Sequence, residues 1–288
     1  MTPPPFSDHV LIDLVEPLNR YLHIPVAARI VKLWLPTRIT PNQVTYLSVL
    51  FGLIAACIYT HGTAGALIHA GFFLEISLIL DCVDGQLARA RGQSSEWGRI
   101  IDGAAGYVAY LAVVAGIAKG FPGHGMALGF ITFWTILKAI SLDYCKQYMT
   151  SLVKTGQDGF LHEVLQTHIK LKLNPSRILK IYYYYLQAQQ FFFRGHWTPL
   201  DRFDEAGIRY KMDHPLSEAE RERFRCDIRN LSASWRWNGH EFCLFLIAVF
   251  SVLGILEICL TPLAVIMGIQ YILTFAHHRV HARNETRP

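Results

Sequence analysis

The chain is poor in charge: 17% of its 288 residues are Asp, Glu, Lys or Arg, whereas 52% are hydrophobic. Mean hydropathy is +0.25, and the charges it does have are segregated from long apolar stretches. A soluble domain carries more ionic surface, and collagen-like or disordered chains carry far fewer apolar residues. Paired cysteines are also lacking. Cys57, Cys82, Cys145, Cys226, Cys243 and Cys259 stand singly, with no C-x-x-C spacing. That pattern fits reduced packing residues and argues against a disulfide framework or a zinc site. The proline-rich start, Met1 to Phe6, lacks the basic-then-apolar order of a cleaved secretory signal. No internal repeat is visible. The net charge of +5 and pI of 8.9 arise mainly in one long polar segment between apolar spans, which suits an anionic membrane surface and not nucleic acid.

What is present is a set of apolar stretches long enough to cross ~30 Å of hydrocarbon at ~1.5 Å per helical residue. Six spans are expected, near 41–59, 66–90, 99–118, 126–148, 242–260 and 263–277. Thr40-Pro41-Asn42-Gln43 predicts where the first begins, with Thr40 as cap, Pro41 in the first turn and Gln43 completing a capping box. Thr261-Pro262 reads as the turn between the last two spans. Upstream, Val10, Leu11, Leu14, Val15, Leu18, Tyr21 and Leu22 recur at helical spacing, broken by Pro17 and Pro25. They predict a kinked amphipathic helix that either lies on the membrane surface or covers the protein's own core.

Lysine and arginine fall almost wholly on one side of the spans, so both termini are expected in the cytoplasm, with Lys119 on the other side and Lys138 inside the fourth span. The polar stretch 150–239 is a cytoplasmic insertion holding Tyr182 to Tyr185 and Phe191 to Phe193. Those rings suit either the membrane interface or a small core of their own. Ser217-Glu218-Ala219-Glu220 predicts a capped helix within it. The resulting plan is an all-α integral membrane protein: an N-terminal interfacial segment (1–39), transmembrane helices one to four (40–149), the insertion (150–239), and helices five and six with a cytoplasmic tail (240–288).

The informative segment is Asp81-Cys82-Val83-Asp84-Gly85-Gln86-Leu87-Ala88-Arg89, followed by Gly98 and Asp102. Three residues apart on a helix, Asp81 and Asp84 share a face, and an antiparallel third helix brings Asp102 to the same depth. Converging carboxylates near a bilayer boundary repel one another unless a cation sits among them. Their hard oxygens suit Mg²⁺ or Mn²⁺ with positions left open for phosphate oxygens, so the arrangement points to the handling of a diphosphate. Gly85 and Gly98 leave room for close approach of a nucleotide, and Arg89 or Arg91 can neutralise a phosphate.

These positions resemble the signature of the CDP-alcohol phosphatidyltransferase family, D-x-x-D-G-x-x-A-R, a spacer, then G-x-x-x-D-x-x-x-D. Asp81, Asp84, Gly85, Ala88, Arg89, Gly98 and Asp102 stand in register with it. Pro41-Asn42-x-x-Thr45 at the head of the first span is similar to the family as well, and the likeness runs from about Thr40 to Tyr148. The resemblance implies a cytoplasm-facing membrane enzyme of phospholipid biosynthesis, in which an acceptor alcohol attacks the phosphorus of a CDP-linked alcohol or lipid and CMP leaves. It implies Asp81, Asp84 and Asp102 as ligands of Mg²⁺ or Mn²⁺, with Asp84 and Asp102 catalytic. It implies Gly85, Ala88, Arg89 and Gly98 as nucleotide-pocket residues, Asn42 and Thr45 near the phosphates, and a homodimer joined through transmembrane helices. The signature's final aspartate, a metal ligand and general base in the family, falls here on Gly106. Glu75, about 120° round the helix from the shared face, is a poor stand-in; Glu96 in the connection and Asp143 with Lys138 are the candidates left, Lys138 could instead pair with Glu75, and His277 and His278 read as interfacial residues. The alternative is a non-catalytic homologue that binds nucleotide or lipid.

Overall fold

The computed structural model describes residues 14–93, 96–195, 197–198 and 203–285, with the side chains of 96–104 and 282–285 left aside. Among the described residues every regular element is helical. The chain divides into two compact units, one built from Glu16–Ile136 with Gly239–Tyr271, the other from Leu137–Asn238 with Met1–Val15 and Ile272–Pro288.

In the first unit a π-helical turn, Asn19–His23, leads into α1, Ile24–Trp34, and then α2, Pro41–Tyr59. The start of α2 is the capping box read from the sequence: Thr40 Oγ1 accepts from the Gln43 N–H at 3.3 Å, and the Gln43 side chain accepts from the Thr40 N–H at 2.9 Å. Next come α3, Ala64–Ala90, and α4, Glu96–Gly120. The unit also holds the first part of α5, Gly125–Thr155, all of α11, His240–Val252, and the first part of α12, Leu256–Glu285. Pro41–Tyr59, Ala64–Ala90, Pro122–Thr155 and Leu256–His281 are long and apolar enough to cross a membrane, and Ala105–Gly120 is a shorter apolar stretch. At ~1.5 Å per residue the 27 residues of α3 reach ~40 Å, longer than the ~30 Å of hydrocarbon.

Two boundaries differ from the expectation. The turn between the last two apolar helices lies at Gly254, whose φ of +71° suits a residue without Cβ, and not at Thr261-Pro262. Pro262 instead sits inside α12, two turns from its start. Helix α11 therefore has 13 residues, about 20 Å.

The core of this unit is aliphatic and close-packed, around Ala55, Tyr59, Ala70, Val113, Ile117, Ile131, Ile247 and Leu260, each fully buried. Small residues let the backbones approach. A Cβ on Gly116 of α4 would fall onto the Ala56 carbonyl oxygen of α2, and one on Gly71 of α3 would come within 2.6 Å of the Ala248 carbonyl oxygen of α11. Polar pairs add direction to the packing. Ser48 Oγ donates to Ser77 O at 2.9 Å, Ser77 Oγ returns the bond to Ser48 O at 2.8 Å, and Tyr59 Oη lies 2.8 Å from Ser251 Oγ.

Helix α1 covers the protein's own core, packing Ala27 and Val31 against Val44, Leu80, Val83 and Leu87. Its last carbonyls are collected by Arg91, which donates to Trp34 O at 2.9 Å, Thr37 O at 2.8 Å, Leu35 O at 3.1 Å and also to Ile39 O. A cation at the negative end of a helix is in its favoured place. Val10 and Leu11 of the expected amphipathic helix lie outside the described residues.

The second unit contains α6, Gly159–Leu173, α7, Arg177–Arg194, α8, Glu205–Asp213, α9, Glu218–Asp227, and α10, Arg229–Trp235, beside the ends of α5 and α12. Helix α9 opens on the expected box, with the Ser217 side chain accepting from Glu220 N and the Glu220 side chain accepting from the Ser217 N–H. The aromatic residues divide between buried and exposed positions. Tyr183, Phe193, Phe160 and Trp235 are buried, and Phe193 stacks on Tyr144 with centroids 4.2 Å apart. Tyr184, Phe191, Ile178 and Ile181 are exposed. Arg194 ties this core, donating to Tyr144 Oη at 2.8 Å and to Asp158 Oδ2 at 2.6 Å, while Asp158 also caps α6.

Candidate active site

The last turns of α3 carry Asp81 and Asp84 one helical turn apart. Leu80, Val83 and Leu87 anchor the adjoining face in the core, about 100° round the helix from the two acids, and this fixes the side on which the acids emerge. Asp84 is 3% exposed. Its Oδ2 accepts a 2.5 Å hydrogen bond from Thr45 Oγ1 of α2, and the same hydroxyl lies 3.2 Å from Pro41 O. A hydroxyl has one proton, and the carboxylate is the stronger acceptor. Thr45 thus orients Asp84, one turn after the exposed Asn42.

Asp81 is half-buried and faces a cavity shared with Thr45, Ser48 and Ser77 on one side and Gly106, Ala109 and Tyr110 of α4 on another. Arg89 is exposed and its guanidinium folds over Gly85, with Nη1 3.4 Å from where a Cβ at 85 would stand. The open flank at Gly85 is therefore covered by an exposed cation suited to a phosphate. Ala88 is half-buried on the following turn. Of the two arginines offered by the sequence, Arg91 is occupied by the carbonyls around the end of α1. Gly98 and Asp102 belong to α4, Asp102 one turn before Gly106, and their side chains lie outside the described residues.

The donor set fits a hard divalent cation. Two carboxylates one turn apart, one buried and hydrogen-bonded and the other on a cavity, offer anionic oxygen and no soft ligand. When bound there, such an ion supplies positive charge to diphosphate oxygens.

A second polar constellation adjoins the first, and sequence reasoning missed it. His23 is fully buried, with Nε2 2.9 Å from Glu75 Oε1, Nδ1 2.8 Å from Asn19 Oδ1, and Glu241 Oε2 3.8 Å from Nδ1. Cys82 Sγ lies 4.0 Å from the same Glu241 oxygen, and ligand atoms of His23, Cys82 and Glu241 fall within 4.8 Å of one another. Burial pulls the His23 pKa down, but Glu241 and Glu75 override this and raise it to about 9. The constellation joins α3 and α11 through the N-terminal segment. Glu16 strengthens the junction: its Oε2 accepts from the Phe242 N–H at 2.9 Å, and its carboxylate fills the space a side chain at Gly239 would need. Glu75, by its spacing a poor stand-in for the final aspartate, is engaged with His23 and is not among the residues that line the cavity of Asp81. Glu241 and His240 line the same cavity as Asp81 and Gly106. A charged pair heading an apolar helix was the only sequence signal for them.

Part of the chain, including this site, is similar to known proteins. Residues 38–161, the stretch with the signature, match the model of the CDP-alcohol phosphatidyltransferase family. An archaetidylinositol phosphate synthase of Pyrococcus horikoshii is 32% identical over 108 residues, which cover 38% of this chain and 54% of that protein. A phosphatidylinositol phosphate synthase of Cutibacterium acnes is 26% identical over 145 residues, 50% of this chain and 65% of that protein. A bifunctional IPC transferase and DIPP synthase of Thermococcus kodakarensis is 36% identical over 85 residues, 30% of this chain and 18% of that protein. The chain thus spans about half the length of the first of these relatives and less of the last.

Proposed function

We propose that this chain, with a CDP-alcohol phosphatidyltransferase domain over residues 38–161, transfers a phosphatidyl or other phospho-alcohol group from a CDP-alcohol to an acceptor alcohol, releasing CMP at the cytoplasmic membrane face. The acceptor hydroxyl attacks the phosphorus that bears the donor's alcohol, and the bond from that phosphorus to the oxygen bridging to CMP breaks. The observation that carries this reading is the Thr45–Asp84 hydrogen bond beside the cavity lined by Asp81, because it joins two separate stretches of the family's pattern at one place. Asp81, Asp84 and Asp102 hold Mg²⁺ or Mn²⁺. Gly85, Ala88 and Gly98 admit the nucleotide, Asn42 lies towards the phosphates, and Arg89 neutralises them.

Inositol phosphate in the names of two similar proteins points to a phosphorylated polyol as acceptor. The apolar stretches support six crossings, with α11 the shortest, and the distribution of Lys and Arg supports both termini in the cytoplasm. We assign 1–39 to an N-terminal amphipathic interfacial segment, 40–149 to the first four spans, 150–239 to the cytoplasmic insertion and 240–288 to the last two spans and tail, in a protein that pairs as a homodimer. A non-catalytic, ligand-binding homologue is the second reading, favoured by the absence of a side chain at Gly106.

The deciding experiment supplies purified protein with CDP-diacylglycerol, Mg²⁺ or Mn²⁺ and a panel of polyol phosphates. Release of CMP that a chelator stops, that either metal restores and that Asp81→Asn abolishes is the expected result. Metal-dependent donor binding without CMP release across the panel would establish the second reading instead.

A further inference from the structure

The cavity beside Asp81 has a wall where the family's last carboxylate is missing. Gly106 of α4 is exposed there, and a Cβ added to it meets nothing within 4 Å. The first turn of α11 closes the same cavity with His240 and Glu241. The Glu241 carboxylate is held on this side by two contacts, and the helix that carries it by a third. His23 lies 3.8 Å away, Cys82, the residue next to Asp81, is 4.0 Å away, and Glu16 fixes the start of α11 through the Phe242 N–H. An acid within an apolar assembly is costly unless its charge is used or compensated. Here two carboxylates, Glu75 and Glu241, surround one imidazole.

We propose that Glu241 is the relocated general base of the transfer, supplying from α11 the carboxylate that α4 lacks at Gly106. This rests on the transferase reading above. In the step, the acceptor's O–H proton passes to the Glu241 carboxylate as the acceptor oxygen bonds to the donor phosphorus. The electron pair of the broken bond leaves on CMP, and the proton is then released to water. His23 and Glu16 are positioning residues: they hold the carboxylate and do not touch the acceptor.

The test measures CMP release and donor KM for wild type, Glu241→Gln, Glu241→Asp, His240→Gln and the double variant Gly106→Asp/Glu241→Gln, with thermal midpoints recorded for each. Loss of a positioned base lowers kcat by ~10²–10⁴-fold. Glu241→Gln should show such a fall with donor KM within about threefold. The double variant should regain at least about tenfold, since a carboxylate returned to the open position at 106 can take the proton, a rescue that a purely structural role for Glu241 would not give. Glu241→Asp keeps the charge beside His23 but draws it back by one methylene. It should fold normally and lose about tenfold or more in kcat, because general-base catalysis requires hydrogen-bond reach. Wild-type rates in Glu241→Gln or Glu241→Asp, a double variant no faster than the single one, or a greater loss in His240→Gln would each overturn the assignment. If Asp81→Asn is inactive while Glu241→Gln is not, only this inference falls. A wild-type protein that releases no CMP removes the transferase reading and this inference together.

Discussion

Replacing Thr45 by valine removes one hydroxyl and keeps the branched shape, which isolates the hydrogen bond that fixes Asp84. That hydroxyl lies 2.5 Å from Oδ2 of a carboxylate 3% exposed, so water cannot readily replace it. A hydrogen bond to a charged acceptor contributes ~1.5–3 kcal/mol. At ~1.4 kcal/mol per factor of ten, complete loss of that contribution in the transition state is a fall of ~10–150-fold in kcat/KM. The neighbours of metal-binding carboxylates carry a similar load, typically ~10–100-fold in metal affinity or activity. The assay is CMP release as a function of Mg²⁺ concentration. Thr45→Val should lose rate and need more metal for half-maximal activity, whereas Thr45→Ser, which restores the donor, should stay within about threefold of wild type. A Thr45→Val protein with wild-type rate and metal requirement would refute the claim that Thr45 orients Asp84 for chemistry.

Two further outcomes concern the assembly around the site. Gly116→Ala sets a methyl against the Ala56 carbonyl oxygen and should cost ~1–3 kcal/mol by overpacking, seen as a lower thermal midpoint in detergent. Gly129→Ala, inside α5 with nothing within 4 Å of the new methyl, should raise the thermal midpoint slightly, through ~0.4–1 kcal/mol of helix propensity. His23 gives a pH signature. Its folded pKa of about 9 exceeds the ordinary 6.5, so the stabilisation is complete below about 6.5 and is lost as pH rises through about 9. Thermal midpoints should fall between about pH 6 and pH 9.5 in the wild type, and His23→Gln should flatten the trend. An equally steep fall in the variant would show that another group governs it.

The parts of the fold that are local were legible in the sequence to the residue. The Thr40 and Ser217 boxes place helix starts with four residues of information, and both formed. The shared face of Asp81 and Asp84 follows from helical spacing alone. Runs of aromatics could not be divided in advance. At 3.6 residues per turn, Tyr183 and Tyr184 point in directions 100° apart, one buried and the other exposed. The turn at Gly254 was obscured for a related reason. Apolar residues run on through both helices, so Pro262 was the loudest breaker, yet the chain reverses at the glycine that admits positive φ.

The polar network was illegible because its members come from segments that sequence reading assigns to different tasks. Glu75 stands alone in an apolar span, and the sequence sets Lys138, inside another span, beside Asp143 or Glu75 with nothing to choose between them. An intramembrane acid does require a partner, but the one it found, His23, comes from the stretch read as an interfacial helix. The same logic bears on Gly106. Measured along α4, its lost carboxylate has no replacement one turn away, and the chain reads as disabled. The cavity, however, is walled by α2, α3, α4 and α11 together, so a proton acceptor need only reach the space those helices enclose. Which helix carries it is a constraint of linear motifs and not of the chemistry.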